Sequence, residues 1–301
     1  MTVSSVGKRF SPRRIVFLLG LVALGGLFVV LLVIPPKSAF APLPDPNGYH
    51  VMVQAASRIE SGSTDLNTNE IEELVIKNKA ALSEIRRALD LPCAVPVQMN
   101  QRWIRRHSAE LSSFRRVAEA CDQEALFLQR QGANSEALDR SLELTRLSHV
   151  ISRNGLLNTT LLAMACETIA MRRATNLLSS LDAADCRRAA QALYEYDRRR
   201  ESSDEVGRRE AEWSRATYGV WAQLPLMVRG GTLRPDKAVM SRAEKRFQSH
   251  SRQARVALLQ LAGRGFELEN GRKPQRSSEL VPAFLPSVPV DPASQAPLEI
   301  P

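Results

Sequence analysis

Residues that commonly perform chemistry are sparse in this chain. It holds four His and four Cys, and none of them stands in a CxxC, HxH or HExxH pattern, so no local run of ligands predicts a metal site. Phosphate-binding loops of the Walker A type, the GxSxG elbow and the GxGxxG turn are absent from the sequence as well. We therefore predict no catalytic, cofactor-binding or metal-ligating residue, and no cofactor.

Glu167 is the isolated acid that deserves a separate hypothesis, because it is the only charged residue of the apolar stretch Leu156–Met171. A carboxyl among apolar neighbours has a raised pKa, which suits a general acid. The alternative, which we favour, is a buried acid paired with one of the chain's many Arg residues.

The stretch Leu156–Met171 is also a candidate membrane span, because it is apolar nearly all round. It is short for a span, and it contains Asn158, Thr159 and Thr160. Helices of this kind are typical of the centre of a soluble bundle, which is the interpretation that we favour.

The four cysteines, Cys93, Cys121, Cys166 and Cys186, admit two interpretations. A free Cys on a helix is usually a small buried apolar residue. An exported domain also allows one or two disulfides, and four Cys can pair in three ways. The spacing selects none of these pairings.

Two charged segments are expected to lie in solvent. Arg102–His107 places cations around Trp103, as nucleic-acid-binding patches do. An exported domain rarely meets nucleic acid, so a charged helix start is expected here and no nucleic acid partner is predicted. The run Asp197–Glu201 is expected to be a solvated helix end.

The net charge of +9 is concentrated at the two ends of the 301-residue chain. Residues 1–41 hold five basic residues and no acid, and residues 229–301 hold twelve basic and seven acidic residues. The stretch 42–228 is almost neutral. Basic end segments suit anionic lipid head groups, nucleic acid or acidic polymers.

Ile15–Ile34 is an uninterrupted apolar run of twenty residues. As a helix it spans about 30 Å, which is the hydrocarbon thickness of a bilayer. Four basic residues precede it and one follows it, so we expect residues 1–14 to be cytoplasmic and the remainder to be translocated. The expected location is the cytoplasmic (inner) membrane, with a single pass, the bilayer as a partner through Ile15–Ile34, and a periplasmic or extracytoplasmic ectodomain. The alternative is a secretory signal that is cleaved after Ala41.

The rest of the chain predicts an all-α fold: a Pro-rich spacer (35–47), a helical ectodomain (48–223), and an amphipathic helix with a Pro-rich tail (236–301). An Asp45-Pro46 start predicts a short helix to Ile59. Further helices are expected at about 68–91, 104–131, 135–153, 156–180, 182–200, 203–218 and 236–263, with a loop at 224–235. Short connectors predict antiparallel hairpins.

The last long helix carries an apolar seam over three heptads. The seam consists of Met240, Ala243, Phe247, His250, Ala254, Ala257 and Leu261. Such a seam is compatible with packing on the parent domain or on a partner helix, including the helix of a second copy in a homo-oligomer.

Residues 45–215 resemble uncharacterised single-pass membrane proteins that are common in planctomycete bacteria. The resemblance is carried by PDPNGY, ALDLPCAVP, RQGANSEAL and SRNGLL, in that order. In this family a Gly-x-x-x-x-Ala-Leu turn joins helices as in tetratricopeptide hairpins, and Gly132, Ala137 and Leu138 match that turn. The resemblance implies a membrane-anchored helical ectodomain, and it brings no assigned activity or catalytic residues.

Residues 252–300 are similar to the segment that follows the long helix in type II secretion major pseudopilins. The matching residues are Gly271, Pro274, Leu280-Val281-Pro282, Leu285-Pro286, Pro289 and Asp291-Pro292. The resemblance implies a helix, a glycine turn, a one-turn helix and an extended end. The pilin start Gly-Phe-Thr-Leu-x-Glu is replaced here by Gly7-Lys8-Arg9-Phe10, so assembly into a pseudopilus is not implied.

Three functions from different classes fit these observations. The leading hypothesis is a membrane-anchored, outward-facing helical protein that acts as an interaction or scaffold protein of the cell envelope, with envelope proteins as partners and no enzymatic activity. The alternative is an accessory protein of a secretion or pilus-like system. The third is an enzyme acting on an envelope polymer, with scattered acids such as Glu167 as catalysts.

Overall fold

The computed structural model describes residues 38–62, 67–219 and 237–300. Within these residues the fold is all-α, as the sequence predicts. The helices are α1 (Gly48–Ala56), α2 (Thr68–Ala88), α3 (Gln101–Arg130), α4 (Asn134–Ser152), α5 (Leu157–Asn176), α6 (Ala183–Arg198), α7 (Ser203–Tyr218) and α8 (Lys237–Asn270). Short 3₁₀ turns at Leu178–Ser180 and Ser277–Leu280 follow α5 and α8.

The predicted membrane segment Ile15–Ile34 and the predicted loop 224–235 lie outside the described residues. Among the helices that the structure does describe, none is long and apolar enough to cross a bilayer. Leu156–Met171 falls almost entirely within α5, which packs against α3, α4 and α8. The bundle interpretation of this stretch is therefore confirmed.

Polar N-caps start several of the helices where the sequence predicts them. Ser202 and Glu205 form a reciprocal capping box at the start of α7, and Asp182 accepts a hydrogen bond from the backbone of Asp185 at the start of α6. These side chains satisfy backbone N–H groups that a helix start leaves unpaired.

The cap of α1 is Asn47, so the prediction of Asp45 is wrong. The Asn47 carboxamide oxygen accepts from the backbone N–H of Tyr49, while its amide donates to the carbonyl of Ala94 at 2.8 Å. Asn47 therefore joins α1 to the loop after α2, and this contact across the fold decides where the helix begins.

Residues 40–301 form one compact unit with two hydrophobic clusters. The first cluster joins α1–α5, and Trp213 of α7 completes it. The second joins the start of α4, the end of α5, α6, α8 and the segment after α8. A fragment that begins at residue 38 thus contains both clusters, and we expect it to fold on its own.

The seam of α8 packs within this unit. Ala254 and Ala257 contact Met171 of α5, and Ala243 and Phe247 contact Val206 of α7. Of the two interpretations that the heptads left open, the structure therefore gives packing on the parent domain.

The segment after α8 has the succession of turns that the pseudopilin resemblance implies, but it is part of the core. Gly271 has a φ of +66°, the 3₁₀ turn follows, and the chain then extends to an isolated bridge between Val290 and Pro297. Leu280, Phe284 and Leu285 are at most 1% exposed. The cap of the 3₁₀ turn is Arg276.

Candidate functional site

Glu167 lies in the middle of α5 and is only 3% exposed. Arg200 donates from Nη1 to Oε2 and from Nη2 to Oε1, both at 2.7 Å. The Nε2 atoms of His149 and His250 lie 3.3 Å from Oε1 and 2.8 Å from Oε2, respectively. Each carboxylate oxygen thus has one guanidinium and one imidazole neighbour, supplied by α4, the α6–α7 junction and α8.

These contacts keep the side chain of Glu167 ionised, so it is a buried carboxylate and not a buried protonated acid. Burial alone raises the pKa of its carboxyl, but the charge of Arg200 and hydrogen bonds from the two histidines and Arg200 hold that pKa well below its ordinary value. An ionised, four-fold contacted carboxylate is a poor proton donor near neutral pH. The favoured interpretation from sequence, an acid paired with an Arg, is confirmed.

The ion pair continues outward through further charges. Arg200 also donates from Nε to Asp197 at 3.3 Å, and Asp197 accepts from Nε of Arg255 in α8 at 2.7 Å. Arg255 in turn donates from Nη1 to the carbonyl of Val290 at 2.6 Å. A line of alternating charges therefore connects the core of α5 with the segment after α8.

The expectation that Asp197–Glu201 is a solvated helix end is wrong for three of its five residues. Arg198 and Arg199 are indeed exposed, but the side chains of Asp197 and Arg200 are only 14% and 17% exposed, and that of Glu201 is 25% exposed. The dense local charge suggested solvent, whereas the charges are in fact divided between solvent and partners on other helices.

A cavity of about 200 Å³ lies against this cluster, with His149, Glu167, Arg200 and His250 on its polar side. Its apolar lining comes from the end of α2 and the following loop, from α5 and from α8. These residues are Leu89, Leu91, Cys93, Ala163, Met164 and Phe247. The cavity therefore combines an apolar wall with a charged one, as ligand sites do.

Three further arginines line the cavity: Arg146, Arg153 and Arg199. Arg146 is held by the Leu89 carbonyl at 2.7 Å and by Asp90 at 2.9 Å. The guanidinium of Arg153 makes no hydrogen bond or ion pair in the described part of the chain. Arg199 approaches Glu195 only at 3.6 Å. The lining thus carries positive charge that is incompletely neutralised.

Glu201, the second acid of the lining, is already committed to another cation. It accepts from Arg209 at 3.1 and 2.5 Å, and from the backbone N–H of Asn154 at 3.1 Å. Asn154 itself accepts from the backbone N–H of Ala41 at 2.8 Å, which fixes the start of the compact unit to the α4–α5 turn. The two acids of the cavity therefore do not offset Arg146, Arg153 and Arg199.

A second polar network joins α1, α3 and α5. Tyr49 donates from Oη to Glu110 at 3.1 Å, and His107 lies 3.0 Å from the same carboxylate through Nδ1 and 2.7 Å from Thr159 through Nε2. Tyr49 is 0% and His107 3% exposed, so no substrate reaches them in this structure. Burial and the Glu110 charge raise the pKa of Tyr49, which keeps its hydroxyl a donor. This network is structural.

The segment Arg102–His107 is amphipathic. Its arginines are exposed, as expected of a helix start in solvent. Trp103 is 2% exposed and stacks on His107 with ring centroids 4.4 Å apart. The aromatic residue thus belongs to the core instead of the charged surface.

The four cysteines are buried free thiols. Desolvation by burial is the largest cause that raises the pKa of Cys93 and Cys166 to about 12 and that of Cys186 to about 11. The sequence left free thiols and disulfides open, and the structure has free thiols that are too protonated to react readily.

His149, Arg200 and His250 are the residues of this cluster that sequence reasoning missed. One signal was present, since His250 interrupts an otherwise apolar seam and Glu167 interrupts an otherwise apolar helix. No group of three or more His, Cys, Asp or Glu residues in the described ranges is arranged to hold a metal ion. In this cluster the guanidinium of Arg200 is the cation that balances the carboxylate.

Comparisons with known proteins add no family to this description. No protein-family model matches the chain, and no curated protein and no solved structure is similar to it at a significant level.

Proposed function

We propose that this chain is a membrane-anchored, outward-facing interaction or scaffold protein of the cell envelope, and that partners bind at the cavity beside Glu167. The observation that carries the proposal is the surplus of positive charge around this cavity, where Arg153 has no carboxylate partner in the described chain. An apolar wall beside unneutralised cations is suited to binding a partner group.

The geometry supports a binding role better than an enzyme of an envelope polymer. Glu167 is held ionised by Arg200 and the two histidines, so it lacks the proton that a general acid must deliver. Tyr49 and His107 are closed off from solvent.

The proposed location rests on the apolar run Ile15–Ile34 and on the basic residues before it. A single-pass anchor in the cytoplasmic membrane would leave residues 38–301 on the outer side. Protease digestion of intact spheroplasts tests this orientation, because the ectodomain should be degraded while a tag at the N-terminus stays protected. Protection of the ectodomain would contradict the proposed orientation.

In-cell photo-crosslinking of the full-length protein tests the interaction. A photoreactive amino acid is placed at Ser152 or Ser251, two half-buried residues of the cavity lining whose replacement leaves its arginines in place, and at Ile76, an exposed residue of α2, as the control. We expect a defined set of envelope proteins to be attached from the two cavity positions and not from Ile76. Equal attachment from all three positions, or none from the cavity, would contradict the proposal.

A second candidate function is an accessory role in a secretion or pilus-like system. It is favoured by the segment after α8, whose glycine turn, one-turn helix and extended end follow the pattern implied by the pseudopilin resemblance. Because Leu280, Phe284 and Leu285 are core residues, deleting this segment would unfold the domain and would test nothing. Photo-crosslinkers at its exposed residues Gln275, Ala283 and Gln295 leave the core intact, and secretion components should be attached from them if this role is correct.

A further inference from the structure

We propose that the cavity binds a carboxylate carried on a small apolar group, a specification that rests on the proposed function of the cavity as the partner site. Two sources share this chemistry: the free C-terminus of a partner chain that ends in an apolar residue, and a free short-chain acid. The charge of the lining, an unused hydroxyl donor and the size of the cavity all point to this ligand.

The charge of the lining is the first observation. Glu167 is neutralised by Arg200, and Glu201 by Arg209. The remaining charged groups of the lining are the guanidinium groups of Arg146, Arg153 and Arg199. Of these, only Arg146 has a carboxylate within 3 Å, and that carboxylate, on Asp90, is largely exposed. A carboxylate in the cavity would therefore enter an environment with net positive charge.

One uncharged polar group beside these arginines also lacks a hydrogen-bond partner. The hydroxyl of Tyr196 makes no hydrogen bond in the described chain, and its ring stacks on that of His149 with centroids 5.7 Å apart. The charges of Arg146 and Arg199 act on Tyr196 and oppose the effect of burial, which raises the pKa of its hydroxyl. Tyr196 is therefore a neutral donor among cations, a combination that suits an anionic oxygen.

The size and the apolar wall restrict what carries the carboxylate. A volume of about 200 Å³ is smaller than the 300–1,000 Å³ that is usual for drug-sized ligands. Leu91, Met164 and Phe247 are among the apolar residues of the cavity lining. A short branched or linear aliphatic group fits this space, whereas a bare phosphate would leave the apolar wall uncovered.

Isothermal titration calorimetry of the fragment 38–301 tests the ligand class with four probes. These are a hexapeptide that ends in Ala-Ala-Leu with a free carboxylate, the same peptide with an amidated C-terminus, isovalerate, and inorganic phosphate. We expect the free-acid peptide to bind at least tenfold more tightly than the amidated one. Binding of isovalerate would identify the carboxylate and its aliphatic group as sufficient, and weak binding of isovalerate would assign the ligand to a chain terminus.

Matched variants locate the binding. Arg153→Gln and Arg199→Gln should each lower the affinity for the free-acid peptide at least fivefold, because both side chains line the cavity. Both are exposed enough to be replaced without unfolding the domain. Arg198→Gln, an exposed neighbour that does not line this cavity, should leave the affinity unchanged. Three outcomes would overturn the inference. The free-acid and amidated peptides would bind equally well, phosphate would bind more tightly than either carboxylate probe, or all three variants would have equal effects.

The two proposals can fail separately. If envelope proteins are still cross-linked from Ser251 when Arg153 is replaced by Gln, and if the peptides do not bind, the interaction stands and the carboxylate ligand is wrong. If the carboxylate probes bind but no protein is cross-linked, the ligand class stands and the interaction role is wrong.

Discussion

Arg200 and Glu167 face each other through two parallel hydrogen bonds, each 2.7 Å long, although the residues lie on different elements and are 33 positions apart. The pair holds the α6–α7 junction against the middle of α5. Because both charges are largely withdrawn from water, the stability of the domain depends on keeping the pair complete.

Glu167→Gln tests this dependence. The substitution keeps the shape of the side chain but leaves the buried Arg200 charge with only its 3.3 Å contact to Asp197, a carboxylate shared with Arg255, so we expect a loss of roughly 3–5 kcal/mol in the free energy of unfolding. Urea denaturation of the fragment 38–301 measures the loss. The control is Glu119→Gln, which removes an exposed ion pair to Arg115 and should cost at most about 1 kcal/mol.

The double variant Glu167→Leu with Arg200→Met separates an unpaired charge from a general packing defect. Replacing both partners by apolar side chains removes the uncompensated charge, so at least half of the stability lost in Glu167→Gln should return. A double variant as unstable as the single one would show that the pair acts mainly through its shape.

Acid should destabilise the domain partly through Glu167. Its pKa in the folded protein lies well below the ordinary value of 4.5, so the unfolded chain binds the proton first as the pH falls. The stability contributed by this carboxylate is therefore complete above about pH 4.5 and is lost at lower pH, as the pH falls through the folded-state pKa. The groups that face Glu167 are Arg200, His149 from α4 and His250 from α8. In denaturation curves from pH 7 to pH 3, the stability difference between the wild-type fragment and Glu167→Gln should shrink below pH 4.5, and a constant difference would contradict this assignment.

Two glycines of α8 provide a matched test of how closely the tail packs. A Cβ at Gly265 would lie 2.7 Å from Cε1 of Phe284 and 3.2 Å from Cβ of Cys186, so Gly265→Ala should cost roughly 1–3 kcal/mol. A Cβ at Gly263 would have its nearest neighbours at 3.7 and 3.8 Å. Gly263→Ala should therefore stabilise the helix by roughly 0.5–1 kcal/mol. Thermal unfolding of both variants measures these changes in stability. Equal changes for the two variants would mean that the tail does not pack on this face.

The four cysteines should be titratable only after unfolding. Each is at most 8% exposed, and burial raises their pKa values, so the thiolate that reacts with Ellman's reagent is scarce in the folded domain. We expect less than one thiol to react promptly at pH 8, and four to react in guanidinium chloride without any reductant. Ser278→Cys, which adds an exposed thiol, is the positive control. Fewer than four thiols in the unfolded chain would indicate a disulfide.

Much of the fold could be predicted because its signals are local. The capping box of Ser202 and Glu205 marks the start of α7 within a few residues, and the heptad seam of α8 identifies its buried face. Asn47 was missed as a cap because its second partner, Ala94, is distant in the sequence. The start of α1 thus depends on the fold as well as on neighbouring residues. A local cap was missed too, because α3 begins at Gln101 after Asn100, where the sequence predicts about residue 104.

The partners of Glu167 could not be predicted either, because they are also distant in the sequence. Its isolation within an apolar helix identified it as a residue that needs a counterion, but 34 Arg residues could have supplied one. His149 and His250 come from helices that approach α5 only after the bundle has formed. The arginines of the Asp197–Glu201 run divide between solvent and core according to the tertiary packing, which local charge density does not encode.

The division of the core into two clusters has a consequence for the order of folding during synthesis. Every residue of the first cluster has been made once Trp213 is in place, whereas the second cluster requires Leu280, Phe284 and Leu298. At a translation rate of roughly 5–20 residues per second, several seconds separate the two events. During this interval the apolar surface of α6 that α8 later covers is exposed, and this helix is where we expect a nascent chain to recruit chaperones or to aggregate.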